Sequence, residues 1–436
     1  MNWRWVGWPD GQGDALTHVF PIHFGWDLPC NCSLCRGFEV VVAGRISLVG
    51  AMRISAISGV FVLMGLVIPL RGAPPRNSEI AAKMDGYVKS GEISGAVTLV
   101  ADAEKVLHQS GDGFSNLENS TPMDADAVFW IASMTKPITA AAVMMMQDEG
   151  RLSVDDPVGK FLPEFRDLKD QAGNPVSISL AQCLTHSSGL SELTESELRA
   201  CQTLEDIAPL IAAKPVKFQP GEKWASCQTG INMAARVVEV VSGKKFPEFL
   251  EERLFGPLEM RDTSFYPGAA QVARLATPYR RKPDGGLEAV GFFFLHGNSP
   301  SHKQRVPMAN GGLFSTAGDY VKFARMILNG GELDGRRFLS VRAVRQMTGV
   351  QSGDLSTGFT PGNAWGLGWC VVREPQGVSA ALSSGSFGHG GLFGTQGWID
   401  PVKKRIYLLM IQRADMANSD ASDIRRDFQN TAASQL

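Results

Sequence analysis

The chain has 436 residues, of which 44% are apolar and 20% charged, so it can bury a sizeable core and general disorder is excluded. The formal net charge is −2, which provides no basic field for a nucleic acid, and no nucleic-acid partner is expected. The seven cysteines are too sparse for a disulfide scaffold.

The first predicted element is an export signal that lies well inside the chain. Residues 54–70 carry no charge, and Met52 and Arg53 stand directly before them. One positive charge followed by an apolar run is the layout of a secretory signal, and the run is at the short limit for a membrane-spanning helix of about 20 residues. We therefore predict that translation begins at Met52, that residues 1–51 are an extension of doubtful translation, and that residues 52–73 direct export to the periplasm or the outside. The alternative is membrane anchoring through residues 54–70.

The later elements indicate one sheet built from distant parts of the chain. Apolar residues at helical spacing predict a helix over 77–91, and residues 95–110 predict two strands around a short turn. The segment 133–149 is apolar nearly all round and is expected to be a buried helix. Strands at both ends with helices between them predict an α+β fold with an inserted helical subdomain. The further predicted elements are a helix ending at Gly243, a helix over 317–329, and strands over 365–372, 394–399 and 405–412.

A serine one helical turn before a lysine marks the candidate catalytic centre. Ser133-Met-Thr-Lys136 is an S-x-x-K sequence where an apolar segment meets the predicted buried helix. At this spacing the two side chains share a helix face, the helix N-terminus favours negative charge on the serine oxygen, and burial lowers the pKa of the lysine. A neutral amine can then take the serine proton. The bare motif is weak evidence, because Ser242-Gly-Lys-Lys245 also matches, although at a charged helix end. Without its context Ser133 would be interpreted as a helix N-cap beside a surface lysine.

Six segments in a fixed order supply that context, and together they are far more specific than S-x-x-K alone. They are WIASMTKPITAAAVMMMQDEGRLSVDDPVGKFLPEF (130–165), LTHSSGL (184–190), FQPGEKWASCQTGIN (218–232), LFGPLEMRDTSF (254–265), NGGLFSTAGDYVKFARMILNGGELDG (310–335) and FGHGGLFGTQGWIDP (387–401). With these segments, the chain between about residues 77 and 415 resembles the superfamily of serine β-lactamases and D-alanyl-D-alanine peptidases, on the branch of class C β-lactamases and related esterases.

The resemblance implies a β-lactamase/transpeptidase-like α+β fold, in which an antiparallel sheet is flanked by helices and carries an inserted, mainly helical subdomain. Residues 74–436 would form this domain. Its α/β part is expected at about 77–125 and 310–420, and its helical part at about 133–305.

The resemblance also implies a mechanism that needs no cofactor and no metal. Ser133 would attack an ester, amide or lactam carbonyl and form an acyl-enzyme, with Lys136 as the base. The backbone N–H groups of Ser133 and Leu392 would form the oxyanion hole, where losing one donor costs about 10²–10³ in rate.

The third motif of the family is usually Lys-Thr-Gly, and here it aligns with His389-Gly390-Gly391. The resemblance makes His389 a catalytic candidate, and Gly390, Gly391 and Leu392 substrate-binding candidates. A histidine donates a hydrogen bond and passes protons near neutral pH. It is a weaker anchor for the carboxylate of penicillins. Taken alone, His389 would be interpreted as a structural histidine in a glycine-rich hairpin.

The second motif departs from the family. Class C relatives carry Tyr-x-Asn, whereas this chain has Ser226-Cys227-Gln228. Gln228 can replace the Asn as a hydrogen-bonding amide of longer reach. Ser226 lacks the phenol, so it is a candidate proton relay that needs a bridging water. The alternative is reduced activity, or none.

Three functions therefore remain open from the sequence. The first is an active serine hydrolase acting on an ester or a D-amino-acid amide or peptide, the second is a binding protein of the same fold with impaired chemistry, and the third is a true β-lactamase. Specificity would lie in loops around the cleft, such as 191–217 and 285–307. The FFFL run at 292–295 either lines an acyl pocket or belongs to the core. The oligomeric state is not predicted.

Overall fold

The computed structural model describes residues 75–436, so the predicted signal and the extension before it lie outside the described residues. Within 75–436, none of the helices combines the length and the apolar character needed to cross a membrane. The helices are α1 Ser78–Lys89, α2 Thr135–Asp148, α3 Leu180–Leu184, α4 Glu195–Arg199, α5 Leu204–Ala212, α6 Gln228–Ser242, α7 Phe246–Leu250, α8 Ala269–Val272, α9 Ala317–Leu328, α10 Val341–Thr348 and α11 Asp423–Gln435. The strands are β1 Gly95–Ala101, β2 Val106–Asn116, β3 Thr121–Pro122, β4 Phe129–Trp130, β5 Tyr279–Arg281, β6 Leu287–Ala289, β7 Phe314–Ser315, β8 Glu332–Leu333, β9 Arg336–Arg337, β10 Asn363–Trp365, β11 Cys370–Val372, β12 Phe387–Gly390, β13 Gln396–Asp400, β14 Arg405–Met410 and β15 Arg413–Ala414.

The main sheet joins the two ends of the domain. Its eight strands lie in the order β10-β11-β12-β13-β14-β1-β2-β3, and neighbouring strands run antiparallel. Val97 of β1 pairs with Met410 of β14, so an early strand lies beside a late one at the centre of the sheet. The predicted α+β fold with an antiparallel sheet is therefore confirmed.

Helices cover both faces of this sheet because its central strands are apolar on both sides. All seven residues of β1 are buried. Val97 and Leu99 belong to the large core that also contains α2 and α9, whereas Ala96 and Val100 belong to a second core with α1 and α11. Alternate residues of a strand point to opposite faces, which explains this division.

The buried helix α2 connects the sheet to the helical part of the domain. Its first twelve residues are all buried. Pro137 fits in the first turn, where backbone N–H groups have no partner within the helix. Facing α2 is α6, which ends as predicted at Gly243, whose φ of +74° is the left-handed conformation that favours glycine. These two helices place the nucleophile candidate and the second motif on neighbouring elements.

Two predictions about the C-terminal hundred residues need correction. The predicted strand 365–372 is two short strands, β10 and β11, which pair as a hairpin across Gly366 and Gly368. Gly368 has a φ of +74°, and a side chain there would meet the backbone of Lys136. The sequence pattern also predicts no element after residue 412, whereas α11 packs Ile424 and Phe428 against the sheet. The α/β part therefore extends past residue 420.

Candidate active site

Ser133 lies in a short 3₁₀ turn, Ala132–Met134, between strand β4 and helix α2. The preceding Ala132 has a φ of +44°, which is rare for a residue with a side chain and turns the backbone sharply into the helix. Thr135 Oγ1 donates to Ala132 O at 2.7 Å and fastens this turn. Ser133 remains half-buried, so its hydroxyl stands at the start of α2 without being enclosed in the core.

Lys136 holds its ammonium or amine group directly against the serine. Its Nζ lies 2.6 Å from Ser133 Oγ and 2.9 Å from the backbone oxygen of Asn310. The side chain is buried, and this burial lowers the pKa of Lys136 to about 7, with the carboxylates of Glu192 and Asp420 opposing the shift. A large fraction of the amine is therefore neutral near neutral pH, and it can accept the serine proton.

The second S-x-x-K match has none of these features. Ser242 is the last residue of α6, and its hydroxyl donates to Glu239 O and accepts from Lys244 N at the helix end. Lys245 lies at the surface, 3.6 Å from Glu205. The two motifs therefore differ in burial and in the contacts of their serine and lysine.

Strand β12 and the turn after it lie directly against the nucleophile turn. A side chain at Gly391 would meet Ile131 O at 2.7 Å and Ala132 Cβ at 3.3 Å, so only a glycine permits this close approach. Thr395 Oγ1 donates to Ile131 O at 3.3 Å from the other side of the turn. Leu392 follows Gly391 on this turn, half-exposed, and its N–H is engaged in no backbone hydrogen bond within residues 75–436. Gly390 is equally confined, because a side chain there would collide with Asp420.

His389 is buried on β12 and is held in one orientation. Its Nδ1 lies 2.7 Å from Gly390 O, which assigns the ring proton to Nδ1 and leaves Nε2 with a lone pair. Burial, reinforced by the charge of Lys136, lowers the pKa of His389 to about 3. The ring is therefore neutral at neutral pH, whereas the sequence analysis expected a group that titrates there. Trp365 packs edge-on against it at 5.6 Å.

The second motif reaches the site through its amide. Asn310 Nδ2 donates to Gln228 Oε1 at 3.1 Å, and Gln228 Nε2 donates to Ser226 Oγ at 3.2 Å. Ser226 is exposed, and it stands at the solvent end of this chain of hydrogen bonds. The structure therefore connects Ser226 to Lys136 through Gln228 and Asn310 and not by a direct contact between the two side chains.

Two residues of the site were not singled out from the sequence. Asn310 presents its backbone oxygen to Lys136 and its amide to Gln228. Glu192 accepts hydrogen bonds from the backbone N–H groups of Gln228 and Thr229 and from Thr229 Oγ1, at the start of α6. The only signal was position, since Glu192 follows the LTHSSGL segment and Asn310 begins the NGG segment.

The described part of the chain offers neither a metal cluster nor a disulfide. In residues 75–436, no group of three or more His, Cys, Asp and Glu side chains is arranged to hold a metal ion. The four cysteines of this part are buried free thiols: Cys183, Cys201, Cys227 and Cys370. What the site provides is a serine, a depressed-pKa lysine, backbone donors and a neutral histidine.

This sheet, with a serine–lysine pair at the start of a buried helix, is the fold of β-lactamases and penicillin-binding proteins. The solved structure of EstCE1, a hydrolase with promiscuous acyltransferase activity, shows the same fold with a TM-score of 0.69. It shares 23% sequence identity and covers 82% of this chain and 97% of its own. The chain belongs to the Beta-lactamase family, whose model matches residues 80–432.

Relatives in the family include esterases and peptidases. Protein Rv1367c of Mycobacterium tuberculosis is 34% identical over 367 residues, which cover 76% of this chain and 89% of the relative. Esterase EstB of Burkholderia gladioli is 27% identical over 374 residues, covering 77% and 91%. Others are a penicillin-binding protein and a D-alanyl-D-alanine carboxypeptidase/endopeptidase. At the level of the family, the chain is a serine hydrolase.

Proposed function

We propose that this protein is a serine esterase that forms an acyl-enzyme on Ser133. The observation that carries the proposal is the 2.6 Å contact between Lys136 Nζ and Ser133 Oγ, made by a lysine whose pKa burial lowers to about 7. A base for nucleophilic catalysis must lie within hydrogen-bond reach of the proton and be deprotonated at the working pH, and Lys136 meets both conditions.

The acylation step follows from this geometry. Ser133 Oγ attacks the carbonyl carbon of the ester while its proton passes to Lys136 Nζ. The N–H groups of Ser133 and Leu392 stabilise the oxyanion of the tetrahedral intermediate. When that intermediate collapses, the bond to the alcohol oxygen breaks, and the leaving alkoxide takes the proton from Lys136. The products are the free alcohol and the acylated Ser133.

Deacylation uses the same groups with water as the nucleophile. Water attacks the acyl carbon, one of its protons passes to Lys136 Nζ, and the proton returns to Ser133 Oγ as the carboxylic acid leaves. We assign Ser226 the relay of protons between the leaving group and solvent through a bridging water, because it stands at the solvent end of the Gln228 hydrogen bonds.

Replacing the candidate serine tests the proposal. The 74–436 protein and its Ser133→Ala variant are compared in hydrolysis of p-nitrophenyl butyrate, with Ser242→Ala as the matched control from the second S-x-x-K sequence. We expect Ser133→Ala to abolish turnover and the p-nitrophenol burst, and Ser242→Ala to retain both. Equal rates in all three proteins would contradict the proposal.

The role of Ser226 has its own test. We expect Ser226→Ala to lower kcat for the butyrate ester about tenfold, below the 10²–10⁴ of a direct acid–base residue, because a water can partly replace the hydroxyl. An unchanged kcat would show that the hydroxyl passes no proton.

A D-amino-acid amide is the second candidate substrate class, because the same acyl transfer cleaves amides and a relative is a carboxypeptidase. Release of p-nitroaniline from D-alanine p-nitroanilide distinguishes this class. The geometry favours a β-lactam less, since the neutral His389 supplies no positive charge for the carboxylate of such a drug.

We propose export as the location, and this rests on the Met52-Arg53 and 54–70 pattern alone. The test is the N-terminal sequence of the protein from its native host, which we expect to begin near residue 74. Peptides from residues 1–51 in that protein would contradict the predicted start.

A further inference from the structure

A cavity of about 420 Å³ lies between helix α4 and the segment that contains the FFFL run. Residues 293–298 and 304–308 form one side of it, and α4 forms the other. Phe293 is 58% exposed, which excludes it from the core, while Phe292 and Leu295 are buried beneath it. The FFFL run therefore divides between core and cavity wall. The apolar lining residues are Leu198, Phe293, Phe294, Leu295, Val306 and Met308.

The cavity adjoins the candidate active site on two sides. Leu198 and Met308 also line a small recess whose other walls include Gln228 and Glu192. On the second side, the ring of Trp130 packs against Phe294 at 4.8 Å and against Phe393 at 4.9 Å. Trp130 precedes Ser133 by three residues, and Phe393 follows Leu392. One aromatic cluster therefore connects the cavity wall to the turn that carries Ser133 and to the turn that carries Leu392.

The charged side chains around the cavity contact other groups of the protein, although Nε and Nη1 of Arg305 are buried without a hydrogen-bond partner within residues 75–436. Arg199 pairs with Glu195 at 3.1 Å, and His296 Nδ1 lies 3.2 Å from the same carboxylate. The guanidinium of Arg305 lies over the rings of Tyr266 and Phe294, at 4.8 and 5.4 Å. An apolar ligand group would leave these contacts in place.

From these contacts we infer that the cavity is an acyl pocket, and that the preferred substrates are neutral esters with an apolar acyl chain of about six to ten carbons. The inference rests on the proposed function, with Ser133 as the nucleophile. The acyl group is the part assigned to the cavity because it stays bound through both steps. The alcohol must leave after the first step, so it is directed to solvent.

Chain-length selectivity tests this inference. Each buried methylene increases kcat/KM by up to about fourfold, so p-nitrophenyl octanoate is expected to exceed p-nitrophenyl butyrate by about 10- to 100-fold. Leu198→Trp fills the cavity, and we expect it to lower the octanoate-to-butyrate ratio at least tenfold. Phe293→Ala removes an exposed wall and is expected to lower the ratio about fivefold.

A matched control separates the cavity from general effects of losing a phenylalanine. Phe114 on β2 is 37% exposed and lies outside the cavity lining, so Phe114→Ala is expected to keep the wild-type ratio. A wild-type ratio near one, or a ratio that Leu198→Trp leaves unchanged, would overturn the inference while leaving the serine esterase proposal intact.

A binding measurement keeps the two proposals distinguishable. Octanamide is a neutral ligand with the same chain, and its calorimetric titration into Ser133→Ala protein needs no turnover. We expect octanamide to bind at least tenfold more tightly than butyramide, and Leu198→Trp to remove this difference. If the wild type hydrolyses none of the esters, the esterase proposal is rejected. The titration then tests by itself whether the cavity binds an apolar chain. Equal affinity for the two amides would overturn the pocket.

Discussion

The charge state of Lys136 connects the local packing of one side chain to the pH range of activity. Its pKa is about 7, so the neutral amine that we propose as the acceptor of the Ser133 proton forms as pH rises through that value. We expect kcat/KM for the butyrate ester to rise along an acid limb with an apparent pKa near 7. His389, with a pKa of about 3, adds no bend between pH 5 and 9. A profile that is flat from pH 5 to 8 would show that Lys136 is not the base.

The pKa of Lys136 also predicts how the stability of the protein depends on pH. Between pH of about 7 and the ordinary lysine value of 10.5, Lys136 is protonated in the unfolded chain and neutral in the folded protein. The unfolded chain then binds more protons, so the stability of the wild type rises with pH across this window, by up to about 1.4 kcal/mol per unit. Lys136→Met lacks this dependence and buries no charge. We expect it to be inactive and more stable than the wild type at pH 7. This margin, the difference in the free energy of unfolding between the two proteins, is expected to be smaller at pH 9.5.

Urea unfolding at the two pH values measures that margin. The exposed Lys160 provides the matched control, because Lys160→Met leaves a surface salt bridge unmade but moves no buried charge. Its margin relative to the wild type is expected to stay constant. A Lys136→Met protein whose margin is equally constant would rule out a depressed lysine pKa.

At the scale of elements, helix α6 carries the second motif, and Glu192 fixes its first turn. The carboxylate accepts from two free N–H groups of the helix start and from Thr229 Oγ1. We expect Glu192→Ala to cost about 1–2 kcal/mol of stability and to lower kcat/KM about tenfold, because Gln228 loses its orientation. Glu192→Gln keeps one acceptor oxygen and is expected to be intermediate in both.

A second helix start distinguishes lost capping from lost catalysis. Ser340 caps α10, where its hydroxyl accepts from Ala343 N at 3.0 Å, and this helix lies outside the candidate site. Ser340→Ala is expected to lower stability by a similar amount while kcat/KM stays within about twofold. If Glu192→Ala behaves in the same way, Glu192 is a helix cap alone.

The sequence predicts some of the helices and strands well and others poorly. Long periodic segments predicted α1, α2 and α6 because one apolar stripe, or a fully apolar surface, persists over several turns. The hairpin of β10 and β11 was missed because alternation continues across Gly366 and Gly368, and only a three-dimensional contact with α2 explains the turn.

For a similar reason, only some residues of the candidate site could be predicted from the sequence. Ser133 and Lys136 are three residues apart, so a local motif identifies them. Asn310 contacts Lys136, which is 174 residues away in the chain, and Glu192 contacts Gln228, which is 36 residues away. A single sequence does not indicate such long-range contacts. The pKa of His389 likewise depends on burial that the tertiary structure creates.

At the scale of the whole molecule, α11 packs against the main sheet and contacts it through one buried arginine. Arg425 is fully buried, lies 3.9 Å over the ring of Trp398 on β13, and donates to Asp420 O and Ser379 Oγ. We expect Arg425→Ala to cost about 3 kcal/mol, because it leaves a void and removes the donor to Asp420 O, Ser379 Oγ and Gln429 Oε1.

The next residue offers the comparison for this variant. Arg426 is 42% exposed and pairs with Asp423 and Asp427 at the surface. Arg426→Ala is expected to change the free energy of unfolding by about 0.5 kcal/mol or less, measured by urea titration. Equal costs for the two variants would show that the buried contacts of Arg425 add nothing to stability.

The pairing of β1 with β14 also has a consequence for how the protein is made. Val97 emerges from the ribosome about 300 residues before its partner Met410, so the centre of the sheet cannot close until both strands have been synthesised. The nascent chain carries Ser133 and Lys136 long before the turn at Gly391 exists to face them. A chain that terminates before Gly391 therefore contains the candidate nucleophile but lacks the strand beside it, and we expect such a chain to be inactive.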